Sequence, residues 1–154
     1  MKNKIIDISD FNKAKIKIMQ AKKQKFVPII IGKTNEFNRK ILEKEKNIIL
    51  LINLAGKKDK IKQRESGLNH VLVNFARKNN NQIGINLDEI LESQGAEKAK
   101  ILARIMQNIK FCNKKKVKMK FISLKNKSLD KLGLKSLGLS LGMPTWMAKG
   151  AVED

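Results

Sequence analysis

RESGLNHVLVNFARKNNNQIGINLDEIL, residues Arg64 to Leu91, carries a helix start, an amphipathic helix, a polar break and a short apolar strand, in that order. Ser66 is placed to cap the helix, its hydroxyl accepting from a free backbone N–H of the first turn. Leu68, Val71, Leu72 and Phe75 recur at i, i+3, i+4 and i+7 and so share one face. His70, Asn74, Arg77 and Lys78 fall on the remaining surface, open to solvent or a partner. Asn79, Asn80 and Asn81 end the helix, because Asn tolerates left-handed backbone and competes for its hydrogen bonds. Gln82 to Leu87 then reads as a strand, and a further helix follows it. Helix, strand, helix is the repeating unit of a parallel α/β fold. A single α/β domain over residues 1–154 is the predicted organisation, a length sufficient for one buried core.

The same alternation extends in both directions. Lys4 to Ile8 reads as a first strand, with Ser9 or Asp10 capping a helix to about Lys25. Phe26 to Ile31 is a second strand, and Pro28, lacking an N–H, predicts that it lies at an edge or starts late. Gly32-Lys33-Thr34 lacks the upstream glycine of a phosphate-binding loop and is discounted as one. Asn35 to Lys46 is a charged helix, and Asn47 to Leu54 is aliphatic on both faces, as a central parallel strand must be. After it comes GKKDKIKQ, Gly56 to Gln63, a lysine-dense loop at the carboxyl end of a strand, where parallel α/β folds place binding sites. The longest helix is predicted from Ala96 to Lys115, with Leu102, Ile105, Met106, Ile109 and Cys112 as its buried stripe and Lys100, Arg104 and Asn108 away from it. Lys114 to Lys116 complement the negative end of that helix. Val117 to Leu124 alternates apolar residues with Lys118 and Lys120, the pattern of an edge strand. Leu129 to Leu141 is helical, with Gly138 suited to close approach, and Pro144 suits the first turn of a final short helix.

Thirty-four Lys and Arg stand against 14 Asp and Glu, a net charge of +20 with a pI near 10.2. An AT-rich coding bias accounts for the preference of lysine over arginine but not for the shortage of acids. An excess of this size calls for a polyanion, and phosphates with their released counterions are the obvious one. No basic segment carries the aromatic-rich face of an interfacial helix, so no membrane is expected as a partner. The longest aliphatic run, Ile48 to Ile52, falls far short of the roughly 20 residues that cross a bilayer. With one cysteine and no signal-like start, a cytoplasmic protein is expected.

Residues for chemistry are scarce. His70 is the sole histidine and Cys112 the sole cysteine, too few for a zinc site. A Cys–His nucleophile pair is disfavoured because Cys112 falls on an apolar stripe. Asp88, Glu89 and Glu92 cluster only where a helix start favours acids anyway. No intrinsic active site is expected.

Three stretches carry a family resemblance. Gly67-Leu68-Asn69-His70-Val71-Leu72, followed by Lys78-Asn79-Asn80 and Ile83-Gly84-Ile85-Asn86-Leu87, resembles ribonuclease P protein component 3 of archaea. Ala99 to Asn108 resembles that family's long central helix, and Ser136-Leu137-Gly138 with Leu141-Gly142-Met143 resembles its closing helix. The match runs from about Lys46 to the C-terminus. It implies a parallel-stranded, TIM-barrel-like fold similar to the polymerase-and-histidinol-phosphatase group, here truncated or incompletely closed because the chain is shorter than typical members. Two positions depart from the family pattern: Leu132-Gly133 stand where an Arg-Asp pair is common, and Ser123-Leu124 where a small polar pair is usual.

By the resemblance, the expected role is a non-catalytic RNA-binding subunit of ribonuclease P, whose RNA removes the 5′ leader from precursor tRNA. The implied partners are the ribonuclease P RNA, protein component 2 and, indirectly, precursor tRNA. No cofactor is expected on the protein itself, Mg2+ entering through the RNA subunit. Arg64, His70, Arg77, Lys78, Arg104, Lys114 and Lys149 are the candidate RNA contacts. A general basic RNA scaffold, for example one associated with ribosomal RNA, is the alternative. A metal-dependent phosphoesterase of the same barrel group is a weaker one, since it needs several histidines.

Overall fold

The computed structural model describes residues 2–127 and 129–153. Its elements run β1 (Asn3–Ile6), α1 (Phe11–Lys23), β2 (Val27–Ile31), α2 (Asn35–Lys44), β3 (Ile49–Ile52), α3 (His70–Lys78), β4 (Gln82–Asn86), α4 (Leu87–Glu92), α5 (Gly95–Lys114), β5 (Met119–Ile122), α6 (Lys131–Ser140) and α7 (Thr145–Gly150). All five strands are parallel and stand in sequential order, β1-β2-β3-β4-β5. The sheet is not closed among the described residues: β1 and β5 each have one neighbour in it.

Residue alternation along the strands gives the sheet two unlike faces. Ile6, Ile30, Leu50, Ile83, Ile85, Met119 and Phe121 face a large core supplied by the helices, including Ile18 of α1, Ile41 of α2, Val73 of α3, Ile105 of α5 and Met147 of α7. The opposite face gathers Ile29, Ile31, Ile49, Leu51 and Ile122 into a second cluster that contains no helix residue. Every helix therefore packs on one side, as repeated right-handed crossovers between adjacent parallel strands require. Ile29, Ile49 and Leu51 are nevertheless at most 2% exposed. A sheet face without a covering layer reaches that burial only by curling until its own side chains fill the hollow. Gly84 permits the curl at β4, since a Cβ there would stand 3.2 Å from the Leu51 backbone and 3.3 Å from Ile49.

The succession of strands and helices along the chain matches the sequence reading, with departures at three places. Of the two readings of Pro28 the late start holds and the edge does not: β2 lies between β1 and β3, and its pairing with β3 begins only at Ile29, so the missing N–H costs no ladder bond. The first helix of the decisive stretch begins at His70, capped by the Asn69 side chain on the Leu72 N–H at 3.0 Å, not by Ser66. Gly67 explains this, because its φ of +79° breaks the chain between the two candidates. The face turned inward is Leu72, Val73 and Ala76 with Phe75 packed at its margin, and Val71 is exposed. On α5 the buried stripe is Ile101, Arg104, Ile105, Asn108, Ile109 and Cys112, whereas Met106 is exposed.

The three asparagines end α3 as expected, and two of them also serve α2. Asn79 Nδ2 donates to the Leu42 and Glu43 carbonyls at 2.8 and 2.9 Å. Asn81 Nδ2 donates to Leu42 and Glu45 at 3.2 and 2.9 Å, while its Oδ1 accepts from the Ile48 N–H. The carbonyls that α2 leaves unpaired at its end are thus satisfied by side chains from the next crossover.

Candidate nucleic-acid interface

The 53–69 segment follows β3 at the carboxyl end of the sheet, and its shape is imposed by side chains beneath it. Glu89 of α4 accepts from the Leu54 and Ala55 N–H groups at 2.8 and 3.2 Å, and Glu97 of α5 from Gly56 at 3.3 Å. Three α5 residues on one helical face reach the rest. Arg104 donates to the Lys57 carbonyl at 2.8 Å and to Asp59 at 3.1 Å. Gln107 donates to the Arg64 carbonyl and the Ser66 hydroxyl, and Asn108 to the Ser66 carbonyl at 2.9 Å. Within the loop, Asp59 accepts from the Glu65 N–H and Glu65 from the Gly67 N–H.

This arrangement sorts the charges. The loop's acids turn onto backbone N–H groups, and Lys58, Lys60, Lys62 and Arg64 remain exposed around Ile61, which is 93% exposed at the tip. The Glu65 N–H first, and then the Arg104 guanidinium, hold the Asp59 carboxyl below its ordinary range. Burial pushes the Glu89 carboxyl up despite its two backbone donors. Beside the loop a groove of about 410 Å³ runs to the N-terminal turns of α2 and α3, lined by Arg39, Lys60, Arg64 and Asn69 together with Glu36, which pairs with Lys40, and Glu65, which pairs with Lys60. Arg39 also stacks over the Phe75 ring at 5.7 Å. A cationic lip around a half-apolar groove beside two helix N-termini is suited to phosphate and an adjoining base.

The residues singled out from the sequence separate into three places. Arg64 and His70 stand on this rim, both exposed, with His70 the first residue of α3. Arg77 and Lys78 lie at the other end of α3, roughly 10 Å along its axis at 1.5 Å per residue. Arg77 there shares a small cleft with Lys116 and Lys118, and Lys114 closes α5 just before them. Lys149 is exposed on α7, one turn beyond Trp146, whose ring lies 5.4 Å from the Lys116 ammonium. Arg104 belongs to neither patch. It is 3% exposed, and its guanidinium is engaged under the loop, so it positions the rim instead of presenting charge.

Arg39 and Trp146 were not singled out from the sequence. Trp146 is the chain's only tryptophan, a signal that was available; nothing in the local pattern of α2 sets Arg39 apart. Asp88, from the acidic cluster, is buried and accepts from the Ser123 hydroxyl and the Leu124 and Lys125 N–H groups. Glu92 pairs with Lys125 and Lys127 at 2.6 and 2.9 Å. Among the described residues, no group of three or more His, Cys, Asp or Glu side chains is placed to hold a metal ion. Cys112 is wholly buried on α5 while His70 is exposed on α3, so the two do not form a nucleophile pair. Among the described residues no helix is long and apolar enough to cross a membrane.

No family model matches this sequence, and no curated protein matches it. Among solved structures, the chain is similar to one chain of the "cryo-EM structure of archaeal Ribonuclease P with mature tRNA". The two are 22% identical with a TM-score of 0.77, over 94% of this chain and 62% of that one. The likeness shows a shared fold, of which this chain spans under two thirds of the other's length.

Proposed function

We propose that this chain is a non-catalytic RNA-binding subunit of ribonuclease P, of the component 3 kind, with the open curled sheet as a shortened form of a TIM-barrel-like fold. The observation that carries the reading is the pairing of that fold likeness with a +20 surface whose loop acids are tied to backbone N–H groups and whose loop cations are exposed. In this role the protein neutralises phosphate repulsion, so that the RNA subunit, holding its own Mg2+, folds compactly and removes the 5′ leader from precursor tRNA. Protein component 2 is the proposed protein partner. Arg64, His70, Arg39 and the Lys58–Lys62 tip form the first RNA-contacting patch, and Arg77, Lys78, Lys114 and Lys149 extend the contact to the opposite end of the helical layer.

The test is reconstitution. Ribonuclease P RNA is assembled with and without this chain, and leader removal is followed at limiting Mg2+ together with gel mobility shift. The expected result is a lower Mg2+ requirement and a shift that weakens with salt. Unchanged processing, or binding indifferent to salt, overturns the proposal. A general basic RNA scaffold is the second reading, favoured by the fact that the exposed cations are almost all lysines, which act as point charges without bidentate recognition. It predicts equal competition by unrelated structured RNAs.

A further inference from the structure

The two ends of the curled sheet face one cavity. Asn3, Ile5 and Ile29 line one side of it and Lys120 and Ile122 the other, with Leu134 of α6 and Val152 and Glu153 of the C-terminal segment closing part of the β5 side, in a volume of about 540 Å³. The edge of β5 is already met in part, since the Phe121 N–H donates to the Ala151 carbonyl at 3.2 Å. Among the described residues, β1 has β2 on one side and no strand on the other. Unpaired strand edges are templates for another chain, and proteins normally cover or charge them. The hollow also changes character here. Its central aliphatic residues are at most 9% exposed, yet Ile5, on the same face, is 45% exposed. Lys120 projects onto that face half-buried and forms no ion pair among the described residues, while Lys2, Lys4 and Lys118 flank the two edges.

We propose that the gap between β1 and β5 receives an extended segment of a partner protein, added to β1 as a strand, with acidic residues alternating with apolar ones. Successive side chains of such a strand point to opposite faces. On the inner face, apolar residues would cover Ile5, Ile29 and Ile122, and one carboxylate would meet the Lys120 ammonium. Acids on the outer face would lie against Lys4. Strand addition of this kind takes its affinity from main-chain hydrogen bonds and its specificity from the alternating side chains. A second copy of this chain is disfavoured by a net charge of +20 on each. RNA is disfavoured because its phosphates gain nothing from the aliphatic floor and cannot satisfy a strand edge's N–H and C=O groups together. The inference stands on the sheet alone and does not depend on the ribonuclease P reading.

The probe is a fluorescein-labelled octapeptide of alternating valine and glutamate, followed by anisotropy, with amide hydrogen exchange of the full chain. The expected result is saturable binding with slowed exchange at Asn3 and Ile5. Lys120→Glu should lower the affinity at least tenfold and confer binding of the valine–lysine counterpart. Ile5→Ser, on an exposed edge where folding is not at stake, should weaken both peptides. Equal binding of a peptide carrying the same residues in two blocks overturns the proposal, as does anisotropy that saturates without protection of Asn3 and Ile5. Protection of those amides by RNA alone, or concentration-dependent dimerisation that buries β1, overturns it in favour of the other occupants.

Discussion

Arg104 shows what a buried cation does when it is surrounded by carbonyls and not by solvent. Replacing it with Ala removes the side-chain donor of the Lys57 carbonyl and leaves Asp59 with only the Glu65 N–H, a loss on the order of 1–3 kcal/mol. Urea unfolding should show this as a lower midpoint, and limited proteolysis should cut the 53–69 segment first. Asp59 adds a pH dependence of known sign. Its folded value is depressed, so its contribution is complete above the ordinary value of 3.8 and is lost as pH falls through the lower folded value. Exchange at the Glu65 amide should accelerate only in that acid window; acceleration near neutral pH would contradict the assignment. Cys112, by contrast, should be silent. Burial pushes its thiol up to about 12, so a thiol reagent at neutral pH should label it only when the protein is unfolded. The burial of Cys112 was legible from apolar spacing, but that of Arg104 and Asn108 was not. Periodicity assigns polar residues to solvent, and the demand that buried them comes from a loop more than forty positions away.

Among the elements, the end of α2 is tied by hydrogen bonds to the turn that follows α3. Asn81 serves the Leu42 and Glu45 carbonyls and the Ile48 N–H at once, so Asn81→Leu strands several buried groups together. A destabilisation of about 2 kcal/mol or more is expected from equilibrium unfolding, with the end of α2 fraying first by hydrogen exchange. The asparagine run was readable as a helix stop, because that is a local property. Its second use as a cap for another helix was not, because only the fold brings Leu42 to Asn81. The start of α3 was readable in principle, since Gly67 lies between Ser66 and Asn69 and a glycine at +79° does not continue a helix. Strand identity and parallel pairing were the most legible features, because each aliphatic run is short and bounded by turns and helices intervene between the strands; the order of strands in the sheet was not, because it is set by packing across the whole chain.

For the whole molecule, the charge distribution makes the sharpest statement. Arg64→Glu with His70→Glu should weaken binding of structured RNA at least tenfold and reduce the slope of log affinity against log salt, while circular dichroism stays unchanged. Arg104→Lys should act differently, lowering thermal stability while leaving the salt slope intact. A mobility-shift titration at several ionic strengths separates the two behaviours. The expectation of a polyanionic partner was open to a sequence reading, because composition alone carries it; the division of the exposed cations into two patches was not, because it depends on α3 and α5 ending together. A last consequence follows from Asp88 and Glu89. These neighbours on α4 grip backbone on opposite sides, Glu89 the strap after β3 and Asp88 the turn after β5. A six-residue helix clamped at both hands is a strut, and a load placed on one strap is transmitted to the other. Seating a ligand on the 53–69 side should therefore quieten the amides of Leu124 and Lys125, which it never touches, and Glu89→Gln should uncouple the two.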